Sequence, residues 1–475
     1  MQAALSCLLF SVGFFLKGFD LNRVSVRLLR HAFTLTALLS CFTAEAALAA
    51  ENQKPIVIVI SLDGMPARAL QDPKLPMPTL RSLAASGAVA DAMQPINPTV
   101  TWPNHTTLIS GVDAAHHFVM ANGLITFPEG GGAPEVKPWV DKEKLVHAQT
   151  LYEAARKRGL TTAQVDWVAI YGAKGVDWEF GEKPDPNGAI SSELVAKRIV
   201  THEQIATFDD DSSPAWRDEV WTDAAIDILR NHTPNLLLLH LLQTDTIQHG
   251  SAPFSNPAYA AYAYADTCVK RIVDTARELG ILDRTTFFVV SDHGFASYTH
   301  VLQPNAALVQ QGLLHQRNGH YEGKAWVNAE GGAAELYIRE VQERAKLIPQ
   351  LKAYFSSMPG ISHVYTNAEA QALGLPSDAS TDQAPQLYLT AAPDYAFEDD
   401  LEGPVMRVLD APRGQHGYLN NMPEMQALFV ASGAAVRPGM HLGVIPNLSV
   451  APTIAAILGV QLPAAQQPAL KEILR

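Results

Sequence analysis

The sequence predicts an α/β fold built on a mostly parallel sheet with helices on both faces. Three observations predict it. Apolar runs of strand length alternate along the chain with longer amphipathic helical patterns, as crossover units require. The runs "PIVIVISL" (55–62), "NLLLLHLL" (235–242) and "TTFFVVS" (285–291) are apolar almost throughout, as strands covered on both faces must be. The composition, 47% apolar and 17% charged over 475 residues, belongs to a chain that buries a large core.

Taken in order, residues 1–49 read as a leader. Arg23, Arg27 and Arg30 precede "HAFTLTALLSCFTAEAALAA", whose Ala-x-Ala steps place cleavage near Ala46 or Ala49. The apolar part is short for a membrane span. An earlier apolar run, "LSCLLFSVGFFL", fits an over-long start or a second weak signal. The expected location is periplasmic or secreted, with no transmembrane span after cleavage. "LLSC" also resembles a lipid-attachment box at Cys41, which is the alternative. Cys7 and Cys41 fall in the leader and only Cys268 remains beyond it, so no disulfide framework is expected. The net charge is −13. Residues 1–50 hold four cations and two anions, which leaves the remainder near −15. That balance excludes general binding to a nucleic-acid duplex, which needs a basic surface. It does not exclude a small phosphorylated substrate, because a metal supplies local positive charge.

The remainder, 50–475, reads as one catalytic domain. Helical patterns occupy 148–159, 216–231, 256–279 and 448–459, and Cys268 sits on the core-facing side of the third. Residues 298–410 mix short strands with Gly- and Pro-containing turns, and are expected to form an inserted, smaller α+β lobe. The Gly-rich "PEGGGAP" (128–134) lacks phosphate-loop spacing and is assigned no chemistry.

Each strong strand runs into an aspartate: Asp63 in "VISLDG", Asp245 in "LLQTDTIQHG" with His249 four residues on, and Asp292 in "VVSDHGF" beside His293. Ligands of open α/β sheets sit beyond the carboxyl ends of strands, so neighbouring strands would bring these side chains to one crevice. A lone strand-end Asp is more often a cap or turn residue, and a lone His a satisfied core residue. Five oxygen and nitrogen donors without cysteine, recurring at strand ends, suit zinc or another borderline divalent ion better. Two ions need a sixth ligand, and "PRGQHGYLNN" supplies His416 between glycines.

That constellation gives "TVTWPNHTTLISGV" (99–112) a role. Two cations can clamp the attacking and departing oxygens of a phosphoryl group, and one can activate the Thr101 hydroxyl as a nucleophile. Thr101 is expected at the start of a helix, with Pro103 in the first turn and the free N–H groups facing the phosphate. The plainer reading is a helix cap worth about 1 kcal/mol; both fit one position.

Together the segments "VISLDGM", "NPTVTWPNHTTLISG", "LLQTDTIQHG", "VVSDHGF", "GQHGYLNNMPEMQALFVASG" and "SVAPTIAAILG" resemble the nucleotide pyrophosphatase/phosphodiesterase branch of the alkaline phosphatase superfamily, across residues 55–459. The resemblance implies an alkaline-phosphatase-like sheet and two Zn2+ ions. One is held by Asp245, His249 and His416, the other by Asp63, Asp292 and His293 with Thr101 beside it. It also implies that Asn122, in "MANGL", binds a phosphate oxygen, that Asn104 is structural and that a covalent phospho-threonine forms. His105 is given no catalytic role. His116 and His117 stand where the family commonly has His-Gly.

The residues leave the choice of ester open. Trp102 is either the stacking wall of a diester pocket or a buried anchor of the helix start. In "VDWVAIYGAKGVDWEF" (165–180), Tyr171 and Trp178 favour an aromatic diester pocket for a nucleotide or other phosphodiester, whereas Lys174 favours a monoester. The expectation is an exported phosphodiesterase or nucleotide pyrophosphatase. The alternatives are a Thr-dependent phosphomonoesterase or phosphonate hydrolase, and a metal-stabilised binding protein without turnover. Oligomeric state is not legible.

Overall fold

A central eight-stranded sheet organises the molecule. In this computed structural model, residues 54–475 are described except residue 211. The expected leader and Cys41 lie outside the described residues. From edge to edge the strands are Met440–Pro446, Ala88–Gln94, Phe429–Gly433, Thr285–Val290, Ile56–Leu62, Leu236–Leu241, Thr162–Val165 and Trp178–Phe180. Only Phe429–Gly433 runs against its neighbours. This is the mostly parallel α/β sheet expected.

The apolar runs explain why it forms. Along the first strand Ile56, Ile58, Ile60 and Leu62 enter one core, and Val57 and Val59 enter the other. A two-residue period that is apolar on both faces needs helices on both faces. Helices Pro78–Ser86, Pro214–Asn231 and Asn256–Glu278 cover the first face; Thr101–Ser110, Leu151–Lys157 and Val450–Leu458 cover the second. Cys268 is fully buried in the first core. The expected helices appear with ends trimmed or extended by a few residues.

The three strong strands are adjacent at the centre: Ser61 pairs in parallel with His240 on one side and Val290 on the other. Their carboxyl ends therefore open at one level.

The segment around 298–410 carries a four-stranded sheet in the order Ala325–Glu330, Ala333–Ile338, Leu387–Ala391, Ile361–Thr366, backed by the helix Val341–Ser356. The expected boundaries cut through one small sheet, because Ala296–Leu302 pairs with Met406–Gln415. The chain thus leaves through one strand of that pair and returns through the other. The returning strand ends at Gln415, and the next residue is His416.

Candidate active site

The loop after Leu62 delivers Asp63, and the loop after Val290 delivers Asp292 and His293. Gly64, at φ +65°, donates its N–H to Asp292 Oδ1 at 3.1 Å and fixes one loop on the other. A side chain there would run into the Phe295 ring, so only glycine fits. Asp245 differs slightly from a strand-end residue. It lies in the first turn of the helix Gln243–Ser251, so Asp245 and His249 face one side of that helix. Gly417, at φ +88°, lets the chain pass against the Glu330 carbonyl just after His416.

Two groups of ligand atoms result. Asp63, Asp292 and His293 offer three atoms within 4.8 Å of one another, and Asp245, His249 and His416 offer three more within the same limit. The groups are contiguous, with the His293 and His416 rings stacked at 4.0 Å between centroids. His416 Nδ1 is held at 3.1 Å from the Thr99 carbonyl, which leaves Nε2 facing Asp245 at 3.9 Å.

The residues fit divalent cations on a further observation. Asp63 Oδ1, Asp292 Oδ2 and Asp245 Oδ1 are buried and accept no hydrogen bond. An unpaired buried carboxylate oxygen is costly unless a cation takes it. The electrostatics agree. Burial raises the Asp63 proton affinity well above the carboxylate range, and the Asp292 and Asp245 charges raise it further. Burial also works against ionised Asp245, but His249 and His416 outweigh it and hold it low. His249 is pushed up by Asp245 despite its burial, while burial and then His293 hold His416 well below the usual histidine range.

Thr101 is the first residue of the helix Thr101–Ser110, and the cap position belongs to Val100. The plain cap reading of Thr101 therefore does not apply. Its Oγ1 lies 3.4 Å from His293 Nε2, at the edge of the first ligand group. Asn122 reaches the same helix start, where its Oδ1 accepts the Trp102 N–H at 3.0 Å and its amide NH2 stays available. Asn104 is structural. It is fully buried, with Oδ1 accepting from Ile96 N–H and Asn447 Nδ2 and Nδ2 donating to the Pro98 and Val100 carbonyls.

Trp102 opens on a hollow of about 770 Å³ that Trp139, Trp167 and Tyr171 also line. Tyr171 is half exposed there. Two expected members are elsewhere. Lys174 lines a different hollow, with Lys142 and Glu153. Trp178 stacks on His232 at 4.6 Å between centroids. The glycines at 172 and 175, both at positive φ, turn the chain away after Tyr171. His116 pairs with Asp113, and His117 is buried with Nε2 on Thr107 and Nδ1 accepting the Val119 N–H; neither joins a ligand group.

Three neighbours were not anticipated. His240 Nε2 stands 2.9 Å from Asp63 Oδ2, and His240 Nδ1 stands 2.8 Å from Asp166 Oδ2. His105, given no role from sequence, places Nδ1 3.5 Å from Asp292 Oδ2 and 2.9 Å from the Thr101 carbonyl. The signal for His240 was in view: an imidazole inside "LLLLHLL" cannot be buried without partners.

Residues 57–419 match the family model described as type I phosphodiesterase / nucleotide pyrophosphatase. Human ectonucleotide pyrophosphatase/phosphodiesterase family member 1 is 24% identical over 418 residues, covering 84% of this chain and 39% of that protein. Venom phosphodiesterase of Naja atra is 19% identical over 425 residues, covering 84% and 43%. The chain spans about two-fifths of the length of these curated relatives. Among solved structures, inactive murine ectonucleotide pyrophosphatase/phosphodiesterase 5 in complex with AMP superposes with a TM-score of 0.67 at 16% identity, over 89% of this chain and all of that one. That likeness establishes the fold.

Proposed function

This chain belongs to the type I phosphodiesterase / nucleotide pyrophosphatase family of the alkaline phosphatase superfamily, and from that membership and the site we propose that it is an exported two-zinc phosphodiesterase or nucleotide pyrophosphatase working through a phospho-threonine intermediate. The observation that carries the proposal is the meeting of six ligand side chains, three of their carboxylate oxygens unpaired, beside a threonine hydroxyl at a helix start.

In this reading Asp63, Asp292 and His293 hold one zinc, and Asp245, His249 and His416 hold the other. Bound there, the ions supply Lewis acidity to a threonine hydroxyl, a departing oxygen and a water. The chain's own residues do the rest. Thr101 Oγ1 attacks phosphorus in line with the leaving oxygen, and the P–O bond to the leaving group breaks as the new one forms. A water then displaces the threonine oxygen and frees it. The Asn122 amide NH2, oriented by the bond its Oδ1 accepts from the Trp102 N–H, donates to a non-bridging oxygen, as does the Thr101 N–H at the helix start.

The hollow lined by Trp102 and Tyr171 gives the second organic group of a diester an aromatic wall to pack against. Lys174, which favoured a monoester, lines a different hollow, although Lys183 lines this one beside Trp139. A nucleotide is a fitting occupant, and the related murine protein was captured with AMP. Among the described residues no helix is long and apolar enough to cross a membrane. Export to the periplasm or the medium rests on the leader-like first 49 residues, with lipid attachment at Cys41 as the alternative.

The test compares zinc-loaded protein on bis(p-nitrophenyl) phosphate and p-nitrophenyl phosphate. The diester is expected to be hydrolysed with the higher kcat/KM. Faster monoester turnover would establish the phosphomonoesterase alternative, and no turnover of either would leave a binding protein.

A further inference from the structure

We propose that His240 is a positioning residue that holds Asp63 to one-oxygen ligation and, through Asp166, ties the wall of the aromatic hollow to the metal cluster. The inference rests on the metal-site reading above and concerns residues that take no part in either ligand group.

His240 occupies a strand whose other residues, Leu236 to Leu239 and Leu241, are all leucine, and it is 2% exposed. A leucine would pack there without polar debt. The imidazole must instead satisfy two nitrogens in a closed interior. It does so on both sides. Nε2 reaches Asp63 Oδ2 at 2.9 Å; Nδ1 reaches Asp166 Oδ2 at 2.8 Å and the Asp166 carbonyl at 3.1 Å. His105 and Trp167 close the arrangement, with the His105 ring 4.6 Å from the His240 ring and 4.9 Å from the Trp167 ring, edge to face.

The consequence for Asp63 follows from counting oxygens. Oδ2 is committed to His240. Oδ1 accepts no hydrogen bond and lies 3.6 Å from His293 Nε2. Asp63 therefore presents one oxygen to a cation, in an orientation its backbone alone would not set. A carboxylate free to turn could chelate with both oxygens and crowd the position beside Thr101. A clamp on the outer oxygen prevents that, and such outer-shell bonds commonly govern metal affinity.

The far end of the chain of bonds reaches the substrate side. Asp166 follows the strand Thr162–Val165 and has a φ of +56°, a conformation unusual outside glycine. The next residue, Trp167, and then Tyr171 line the hollow. The segment that would contact the organic group of a substrate is thus anchored through one imidazole to a ligand of the metal.

The experiment measures zinc affinity at each position by competition with a chromophoric chelator, on the wild type and on His240→Phe, His240→Asn, Asp166→Asn and the double variant Asp166→Asn/His240→Phe. His240→Phe is expected to weaken one of two zinc positions by about 10–100-fold and to leave the other at wild-type affinity. Asp166→Asn should weaken the same position by less. The double variant should be no weaker than His240→Phe, because Asp166 acts through His240. If His240→Phe does not fold, His240→Asn and Asp166→Asn carry the same comparison. Wild-type affinity at both positions in all folded variants, equal loss at both positions, or additive losses in the double variant would each overturn the proposal. A wild type that binds no zinc removes the metal-site reading itself, and the clamp with it.

Discussion

Among the described residues, two acidic clusters set into the interior solve the same electrostatic problem differently. At the carboxyl ends of the central strands, Asp63, Asp245 and Asp292 are interleaved with His249, His293 and His416. In the four-stranded sheet of the 298–410 segment, Glu335 and Glu330 converge on the amide of Asn328, at 3.3 and 2.9 Å. Burial raises the proton affinity of Asp63 in the first cluster and of both glutamates in the second. The difference is in the partners. Every carboxylate of the first has a histidine nitrogen within 4 Å; a carboxylate oxygen without a hydrogen bond occurs in both, since Glu335 Oε1 accepts none either. The glutamates have an amide and a phenol, and among the described residues no cationic side chain pairs with them. Burial concentrates charge in both places; imidazoles aimed at the same point make one of them a candidate cation site, and their lack leaves protons as the means of neutralising the other.

The largest effect that separates the clusters is expected from Thr101→Ala. It should lower kcat by at least ~10³-fold, the scale on which loss of a nucleophile is felt, while zinc content stays at the wild-type value because all six ligands remain. Near-normal turnover would remove the nucleophile assignment. Next, a strong chelator should abolish turnover, and zinc should restore it. The same treatment should lower Tm, since three carboxylates with unpaired oxygens are left facing one another. Unchanged activity in the chelator would show that the first cluster, like the second, is content with protons. A smaller effect is expected from Trp102→Ala: KM for an aromatic diester rises by up to about 10-fold, the upper end of the ~0.5–1.5 kcal/mol of a stacked aromatic pair, and zinc binding does not move. Equal KM values would return Trp102 to the role of a helix anchor.

Much of this was legible in the chain, for identifiable reasons. The central strands announce themselves because burial on both faces forces unbroken apolar runs. Asp63 and Asp292 follow directly from those runs, and the four-residue step from Asp245 to His249 is helical spacing. His416 is different. It arrives on a strand returning from the 298–410 segment, and no local pattern ties it to residues more than a hundred positions earlier. The Asp166–His240 pair was missed because the strand Thr162–Val165, "TAQV", is short and mixed, so its aspartate was not recognised as another strand-end acid. Lys174 and Trp178 were misplaced because the path after Tyr171 is set by two glycines at positive φ, which sequence proximity does not reveal.

The finest test concerns the glutamates. The Tyr337 hydroxyl has two acceptors at 2.9 Å, Glu335 Oε2 and the Gln383 carbonyl, but one proton to give. Both contacts of the Tyr337 hydroxyl are satisfied when Glu335 is protonated on Oε2: the acid donates to the Tyr337 oxygen, and Tyr337 donates to Gln383. Burial, and then the charge of Glu330, hold Glu335 well above the usual carboxylate range, and burial raises Glu330 to about 8. A carboxyl whose folded proton affinity exceeds its unfolded one contributes stability that is complete below pH about 4.5 and is lost as pH climbs towards the folded value, here about 8 for Glu330. Glu335→Gln fixes the neutral form, since its amide can donate to Tyr337 as the acid does. With zinc bound in both proteins, the variant and wild type should have similar Tm near pH 5. The variant should gain on the wild type as pH rises to 8, at no more than about 1.4 kcal/mol per pH unit for each proton involved. Because the difference between the two proteins cancels the titration of the histidine-rich cluster, a gap that stays constant over that range would mean that Glu335 is ionised in the folded state, and that some cation, not a proton, balances it.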